Sequence, residues 1–400
     1  MKRITKSNCL SRNSRILLKA SFWGHAFNDM YWVIIPVVLP IIKSEFKLNY
    51  SMSGLLLTSY TLMGAFGSLI TGYLGDKTGR RFILSWGFFL GSLALVLCAI
   101  SKTYWQLFFA LLLLGVGISA FHPSMIAVIS TNFTSKRGTT LGIFQFWGWV
   151  GTFLVVGVIS SFLEFFLNWR GLLLILSVPG FIFAPLFFRL LKDLTVQEQK
   201  IPPSEKNPQE KLILPLLLFL IANIFFIASY TALINFIPTY LVEEKSMSPS
   251  LAGYFFLIVI GGGFLGTILS GKASDRISSL LTLLIFVGIA APAIIILTFL
   301  RNYFFILISL IIFGFSYSGV WAPQQDYLAE KTPSHLRGGI YGLTFFLANT
   351  VSATSPGITG IIADKTGLSN ALRILALPLF LSLILIFSIK KERKGKKLVR

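Results

Sequence analysis

Charged side chains are scarce in this 400-residue sequence, where Asp, Glu, Lys and Arg together make up 12% of the residues. A soluble domain normally carries about twice that share, so a soluble globular protein is excluded. Hydrophobic residues account for 54% of the chain, Phe alone occurs 38 times, and the mean hydropathy is +0.77. This composition is typical of a chain that lies mostly in lipid.

Cysteine is almost absent as well. Cys9 lies in the N-terminal segment and Cys98 lies inside an apolar run, so neither predicts a disulfide. The phosphate-binding pattern G-x-x-x-x-G-K-[ST] is missing, which disfavours ATP as an energy source within this chain. We predict no cofactor and no metal.

Long apolar runs fill most of the sequence. Each is about 20 residues or more, enough for a helix to cross a hydrocarbon layer of about 30 Å. We predict twelve spans at about 17–41, 51–72, 82–100, 104–130, 138–163, 171–190, 212–241, 248–270, 279–299, 303–328, 338–362 and 367–389. The sequence therefore predicts an all-α integral membrane protein with twelve transmembrane helices.

The two halves of the chain repeat each other at an offset of about 200 residues. Matching pairs include Pro40 with Pro238, Gly54 with Gly253, and Pro123 with Pro323. We predict two pseudo-symmetric six-helix bundles, over 1–191 and 212–400, joined by a polar, proline-containing cytoplasmic linker at 192–211. A repeat of this kind places a binding site between the halves, near the middle of the membrane.

The net charge of +20 comes from 35 Lys and Arg against 15 Asp and Glu. Most of these cations fall in the two terminal segments and in the connections on the same side of the membrane. That asymmetry predicts cytoplasmic termini in the inner (plasma) membrane rather than a nucleic-acid surface. The basic C-terminal tail at 390–397 is expected to contact anionic lipid headgroups.

The segment G-Y-L-G-D-K-T-G-R-R at 72–81, between the second and third spans, resembles the signature of the major facilitator superfamily. A shorter copy, G-K-A-S-D-R, stands at 271–276 in the second half. The resemblance implies alternating access, with these loops acting as a conformational gate. The gate residues so implied are Gly72, Asp76, Lys77, Gly79, Arg80, Arg81, Asp275 and Arg276.

Two shorter segments, G-H-A-F-N-D at 24–29 and G-I-S-A-F-H-P at 117–123, resemble the fosmidomycin-resistance branch of the same superfamily. That branch implies proton-coupled, drug-export-like transport. The fifth span departs from the antiporter signature, because its glycines are not accompanied by an internal proline. The direction of transport stays open.

Ionisable groups near the bilayer centre are costly, about 2.5–3.5 kcal/mol each on insertion scales, so each one indicates a function. Asp29 lies at the midpoint of the first span, and His25 lies one helical turn away on the same face. His122 lies at a comparable depth in the fourth span. The resemblance implies that spans one and four both line the cavity, so Asp29, His25 and His122 are expected to share a pocket. We predict that they couple transport to protons, with Asp29 as the proton carrier and His25 or His122 as its partner, because such groups change protonation when their environment alternates. A purely structural Asp–His pair is the alternative.

The resemblance also implies that spans one, four, seven and ten line the substrate cavity. The polar and aromatic residues predicted there are Asn28, Tyr31, Asn235, Trp321, Gln324 and Gln325. These spans carry no deep Lys or Arg, so a neutral, cationic or zwitterionic organic solute fits better than a strongly anionic one.

These observations predict a secondary active transporter of a small organic solute, coupled to protons and exporting drugs or metabolites. The partners are then the solute, protons and membrane lipids, and the protein is expected to be a monomer. The alternative within the same class is an importer or facilitator of a nutrient, metabolite or siderophore. A non-transporting membrane sensor is the alternative from a different class. An enzyme is not predicted, because no nucleophile accompanies His25 and Asp29.

Overall fold

The computed structural model describes residues 12–132, 137–166, 168–192, 213–332 and 337–395. All regular structure in these ranges is α-helical. The helices of the first half are α1 (Arg12–Glu45), α2 (Tyr50–Thr78), α3 (Arg80–Ile100), α4 (Tyr104–Ser119), α5 (Phe121–Asn132), α6 (Arg137–Phe166) and α7 (Trp169–Leu190). Those of the second half are α8 (Ile213–Glu243), α9 (Pro249–Ile277), α10 (Ser279–Phe299), α11 (Tyr303–Ser318), α12 (Trp321–Lys331), α13 (Arg337–Ser352), α14 (Ser355–Thr366), α15 (Leu368–Ile374) and α16 (Ala376–Gly395).

The prediction of an all-helical, twelve-span membrane protein is confirmed. Within the described ranges, eleven helical stretches are long and apolar enough to cross a membrane. The remaining predicted span, 338–362, corresponds to α13 followed by α14. The linker predicted at 192–211 lies almost wholly outside the described residues, as does Cys9, and Cys98 is a buried thiol in α3.

Four spans that the sequence predicts as single helices are each divided into two. The fourth span is broken between α4 and α5, where Pro123 lacks the N–H that would bond the carbonyl of Ser119 in a continuous helix. The hydroxyl of Thr71 in α2 donates to that carbonyl at 3.0 Å, so the freed acceptor is satisfied inside the bundle. The tenth span is broken near Pro323, whose missing N–H would bond the carbonyl of Gly319, and Thr267 of α9 donates to the neighbouring carbonyl of Ser318 at 3.3 Å.

Several helices begin at residues whose side chains cap the first turn. Asn49 accepts from the N–H of Met52 at the start of α2, and Ser248 accepts from that of Leu251 at the start of α9, with a proline as the next residue. α4 begins with a reciprocal capping box between Thr103 and Gln106. Such caps satisfy N–H groups that a helix leaves without partners.

The internal repeat extends to the backbone of the connections. Lys47 and Ser246, which precede α2 and α9, both have positive φ values, 52° and 55°. Between the halves, α2 packs on α13 and α14, α6 packs on α9, and α1 packs on α8. The two bundles therefore meet along a pseudo-two-fold interface.

Within the first half, α6 lies unusually close to α1. A Cβ atom at Gly151 would overlap Ala26 of α1, and one at Gly148 would lie 2.6 Å from Asp29 Oδ2 and 2.7 Å from His25 Nε2. Any side chain at Gly148 would therefore enter the space of the polar groups on α1. This close approach encloses the polar face of α1 at mid-helix.

Candidate functional site

A cluster of three ionisable side chains lies where α1 meets α5 and α6. Asp29 stands at the middle of α1, and its carboxylate contacts two imidazoles through different oxygens. Oδ2 lies 3.2 Å from His25 Nε2, one turn earlier in the same helix. Oδ1 lies 3.2 Å from His122 Nε2 in α5. The structure thus brings together the three residues that the sequence selects for proton coupling.

The backbone of α6 sets the hydrogen-bonding state of His25. Nδ1 lies 2.7 Å from the carbonyl oxygen of Phe144, and because that oxygen can only accept, Nδ1 carries a proton. The other ring nitrogen, Nε2, faces the carboxylate of Asp29. A lone pair on Nε2 would repel that oxygen, so the contact is favourable when a second proton lies between the two groups. The side chain of His25 is only 2% exposed, which makes this proton a buried one.

His122 has a partner in either protonation state. Its Nε2 lies 3.4 Å from the amide nitrogen of Asn28 as well as 3.2 Å from Asp29. A neutral Nε2 accepts from Asn28, whereas a protonated Nε2 donates to Asp29. The side chains of His122 and Asp29 are 36% and 23% exposed, so this part of the cluster is less enclosed than His25.

The imidazole of His25 contacts two other rings at the cluster. His25 stacks on Phe144 with ring centroids 4.0 Å apart, and His122 meets the His25 ring edge-on at 4.9 Å. The ligand atoms of the three ionisable residues lie within 4.8 Å of one another. That spacing could also hold a metal ion, so a metal is the other cation that an experiment at this cluster must control for.

Asn235, predicted to line the substrate cavity, lies at the junction of the two halves. Its Oδ1 accepts from the hydroxyl of Tyr60 in α2 at 2.9 Å, and its amide nitrogen donates to the carbonyl of Thr231 at 2.7 Å. The Tyr60 hydroxyl lies 3.2 Å from the carbonyl of Trp32 as well. Both side chains are buried, so this bond joins α2 to α8 away from water.

We expect Tyr60→Phe to lower the free energy of unfolding by about 1 kcal/mol, because the carboxamide oxygen of Asn235 then loses a buried donor. Thermal unfolding of the purified protein in detergent measures this change. Tyr73→Phe is the matched control, since Tyr73 is exposed. Equal melting temperatures for the two variants would contradict the expectation.

The other residues predicted for the substrate cavity lie in different halves of the molecule and differ in how buried they are. Tyr31 is buried in the first half, where its hydroxyl lies 3.1 Å from Ser92 of α3. Gln324 is buried in the second half and lines a small cavity with Asn223 and Ser382. Trp321 is partly buried and meets the ring of Tyr317 edge-on, while Gln325 is exposed. Tyr31 and Gln324 thus take part in packing within their own halves.

The predicted gate residues of the first half lie at the α2–α3 junction. Gly79 has a φ of 94° between the helices, and Arg80 donates to the carbonyl of Pro123 in α5 at 3.3 Å. The Arg81 guanidinium lies over the ring of Phe188. The remaining members are a partly buried Gly72, an exposed Lys77, exposed Asp275 and Arg276 in α9, and Asp76, whose side chain lies outside the described part of the chain.

The opposite end of the bundle holds polar contacts between the halves that the sequence did not predict. Asp364, at the end of α14, accepts from the backbone N–H groups of Tyr50 and Ser51 at 2.8 and 2.9 Å and from the Ser51 hydroxyl. Lys43 of α1 forms an ion pair of 2.9 Å with Glu243 of α8. The Tyr50 hydroxyl donates to the same carboxylate at 2.7 Å.

Partial burial acts to raise the pKa of the Asp364 carboxyl. The hydrogen bonds from Ser51 and Tyr50 and the nearby charge of Lys43 outweigh it and hold the pKa below its ordinary value. Asp364 is therefore ionised at neutral pH and is suited to binding the start of a helix. The sequence signal that could have identified it is an acidic residue placed directly after a long apolar run.

Comparison with known protein families matches residues 21–356 to the Major Facilitator Superfamily. The chain belongs to this superfamily. Several known proteins align with this chain over most of its length. The fosmidomycin resistance protein of Escherichia coli K12 is 24% identical, with 95% of this chain and 94% of that protein covered. The hexuronate transporter of Bacillus subtilis 168 is also 24% identical, with 88% and 89% covered.

Among solved structures of the superfamily fold, a bacterial homologue of the human lysosomal transporter Spinster, in an inward-facing and unoccupied conformation, superposes with a TM-score of 0.81. It is 17% identical and covers 96% of this chain and 98% of its own. The chain is thus a multi-pass membrane transporter of a small solute rather than an enzyme.

Proposed function

We propose that the protein is a proton-coupled carrier in which Asp29, His25 and His122 bind the transported proton and the solute binds between the two halves. The observation that carries this proposal is the contact of one mid-membrane carboxylate with two imidazoles. What supports it further is that Nε2 of His122 lies within reach of both the amide nitrogen of Asn28 and the carboxylate of Asp29, so the cluster offers more than one hydrogen-bonding arrangement. Alternating access to such a group couples proton movement to the movement of solute.

The gate residues remain part of the proposal. With the termini in the cytoplasm, as the distribution of Lys and Arg predicts, the loops at 72–81 and 271–276 lie at the cytoplasmic end. We propose that Asp76 and Asp275 act there, each near the start of a helix of the other half. The interface contacts of Asp364 and Glu243 then lie at the external end.

For direction, we propose export of a drug or metabolite, supported by the likeness to the fosmidomycin resistance protein. Import of a nutrient is the second candidate, and the likeness to the hexuronate transporter supports an organic acid as its solute. Such an acid would bind without a deep Lys or Arg, so protonated His25 and His122 would supply the positive charge.

Transport by the purified protein in liposomes tests the proposal. A panel of drugs, sugars, amino acids and organic acids is offered with an imposed pH gradient, and internal pH and solute are followed together. We expect a solute whose movement changes internal pH and whose direction reverses with the gradient. Solute movement that equilibrates without a pH change would indicate a facilitator, and binding without counterflow would indicate a sensor. A chelator in every arm shows whether a metal ion takes the proton's place.

A further inference from the structure

Contacts between the two halves close the end of the bundle near residues 45–50. They occur as two similar sets, as the internal repeat leads one to expect. In one copy Asp364 of α14 contacts the first turn of α2. In the other, Glu164 of α6 contacts the first two turns of α9, where Ser250 of the first turn lies 3.5 Å from its carboxylate and Tyr254 of the second turn donates to it at 3.0 Å. Each acidic residue lies in one half and its partners lie in the other.

The partners correspond in sequence position. Ser51 is the second residue of α2 and Ser250 is the second residue of α9, and both hydroxyls contact an acidic side chain of the opposite half. Three residues further on, Gly54 and Gly253 allow the helices to touch. A Cβ at Gly54 would overlap the backbone of α14, and one at Gly253 would overlap Ser160 of α6.

The copy at Asp364 is the stronger of the two. The first N–H groups of α2 have no partners within the helix, and three of them are bound by side chains. Asn49 accepts from Met52 within the same half, whereas Asp364 accepts from Tyr50 and Ser51 across the interface. Separation of the halves would return both N–H groups, and the negative charge that faces the positive end of α2, to water.

The ends of α2 and α14 also share a sequence. Asp-Lys-Thr-Gly occurs at 76–79, where α2 ends, and at 364–367, where α14 ends. The glycines have similar positive φ values, 94° and 84°. The copy at 364–367 lies beside the start of α2, at the closed end. The copy at 76–79 lies at the other end of α2.

We propose that Asp364 and Glu164 form a paired latch, in which an acidic residue of each half holds the N-terminal turns of a helix of the other half and keeps this end closed. Asp364 and Glu164 are positioning residues of the transport cycle. This inference is independent of the proton assignment, because it concerns the balance between closed and open forms in the absence of solute and gradient.

Double electron–electron resonance on the full-length protein tests the latch. Spin labels at Lys102→Cys and Arg301→Cys in a Cys9→Ser background report the width of this end, since both exposed positions lie in its loops, one in each half. We expect Asp364→Ala to raise the ratio of open to closed protein about tenfold and Glu164→Ala about threefold. The double variant should give roughly the product, about thirtyfold. Asp364→Asn should fall between Ala and the wild type, because its carbonyl still accepts one hydrogen bond.

Glu45→Ala is the matched control. Glu45 is an acidic residue at the same end, but its ion pair of 2.6 Å with Arg170 and its bond to Trp169 join elements of one half. It should leave the distance distribution unchanged. Distributions for Asp364→Ala and the double variant that superpose on the wild type would overturn the proposal, as would an equal shift in Glu45→Ala. If Asp364→Ala is not recovered as folded protein, Asp364→Asn and Ser51→Ala, which removes the hydroxyl that donates to Asp364, provide the same comparison.

Discussion

Asp29→Asn is expected to abolish the accumulation of solute by a proton gradient while leaving solute exchange intact. The carboxamide has the shape of the carboxylate but cannot bind the proton that we propose Asp29 to share with His25 and His122. One proton moved through 100 mV supplies about 2.3 kcal/mol, which corresponds to a concentration ratio of roughly 50 for a neutral solute. We expect that ratio to fall to about 1 in the variant.

The measurement is uptake into liposomes under an imposed gradient, followed by counterflow without one. Asn28→Asp is an informative companion, because it adds a second carboxylate beside His122 instead of removing one. Counterflow at the wild-type rate shows that Asp29→Asn is folded and binds solute. Undiminished gradient-driven accumulation by the variant would refute the role of Asp29 as the proton carrier.

Gly148→Ala is expected to reduce proton-coupled turnover by about tenfold or more without preventing membrane insertion. The added methyl group would lie 2.6 Å from Asp29 Oδ2 and 2.7 Å from His25 Nε2, closer than atoms can approach. Either the imidazole leaves the Phe144 carbonyl or α6 moves away from α1, and overpacking of this kind costs about 1–3 kcal/mol. Both changes alter the contact between His25 and Asp29.

Gly157→Ala provides the control on the same helix. The nearest atom to a Cβ there is Leu257 Cδ2 at 3.8 Å, an ordinary contact, so its turnover should match the wild type. The pH dependence of transport by Gly148→Ala should change as well, since the added methyl group displaces His25 and Asp29, the residues we propose to carry the proton. A normal rate and pH profile for Gly148→Ala would show that His25 and Asp29 tolerate displacement.

The pattern of apolar runs predicts the membrane fold because lipid requires long helices with internally satisfied backbones. It does not predict the breaks in spans four and ten. A proline inside an apolar run marks a possible break, but α7 contains Pro179 and Pro185 and is continuous. The donor that satisfies a freed carbonyl has no local sequence signal either, since Thr71 is 48 residues away from Ser119 along the chain.

The ionisable cluster could be predicted because a charge in the middle of an apolar span is rare enough to stand out. Its chemistry required the structure, since the Phe144 carbonyl that fixes the His25 proton is a backbone group without a sequence signal. Tyr31 shows the opposite limit. A tyrosine beside Asp29 in sequence is an obvious candidate for the cavity, yet the helix turns it towards Ser92 within its own half.

The closed end also determines from which side a drug can act on this carrier. A membrane-impermeant inhibitor directed at the central cavity, and applied on the side of the Lys43–Glu243 ion pair, finds its target only in molecules that have opened there. Its apparent affinity is reduced in proportion to the fraction of open molecules. A ligand that instead bridges the two halves on the surface of that end would favour the closed form, and would inhibit transport without ever reaching the solute site.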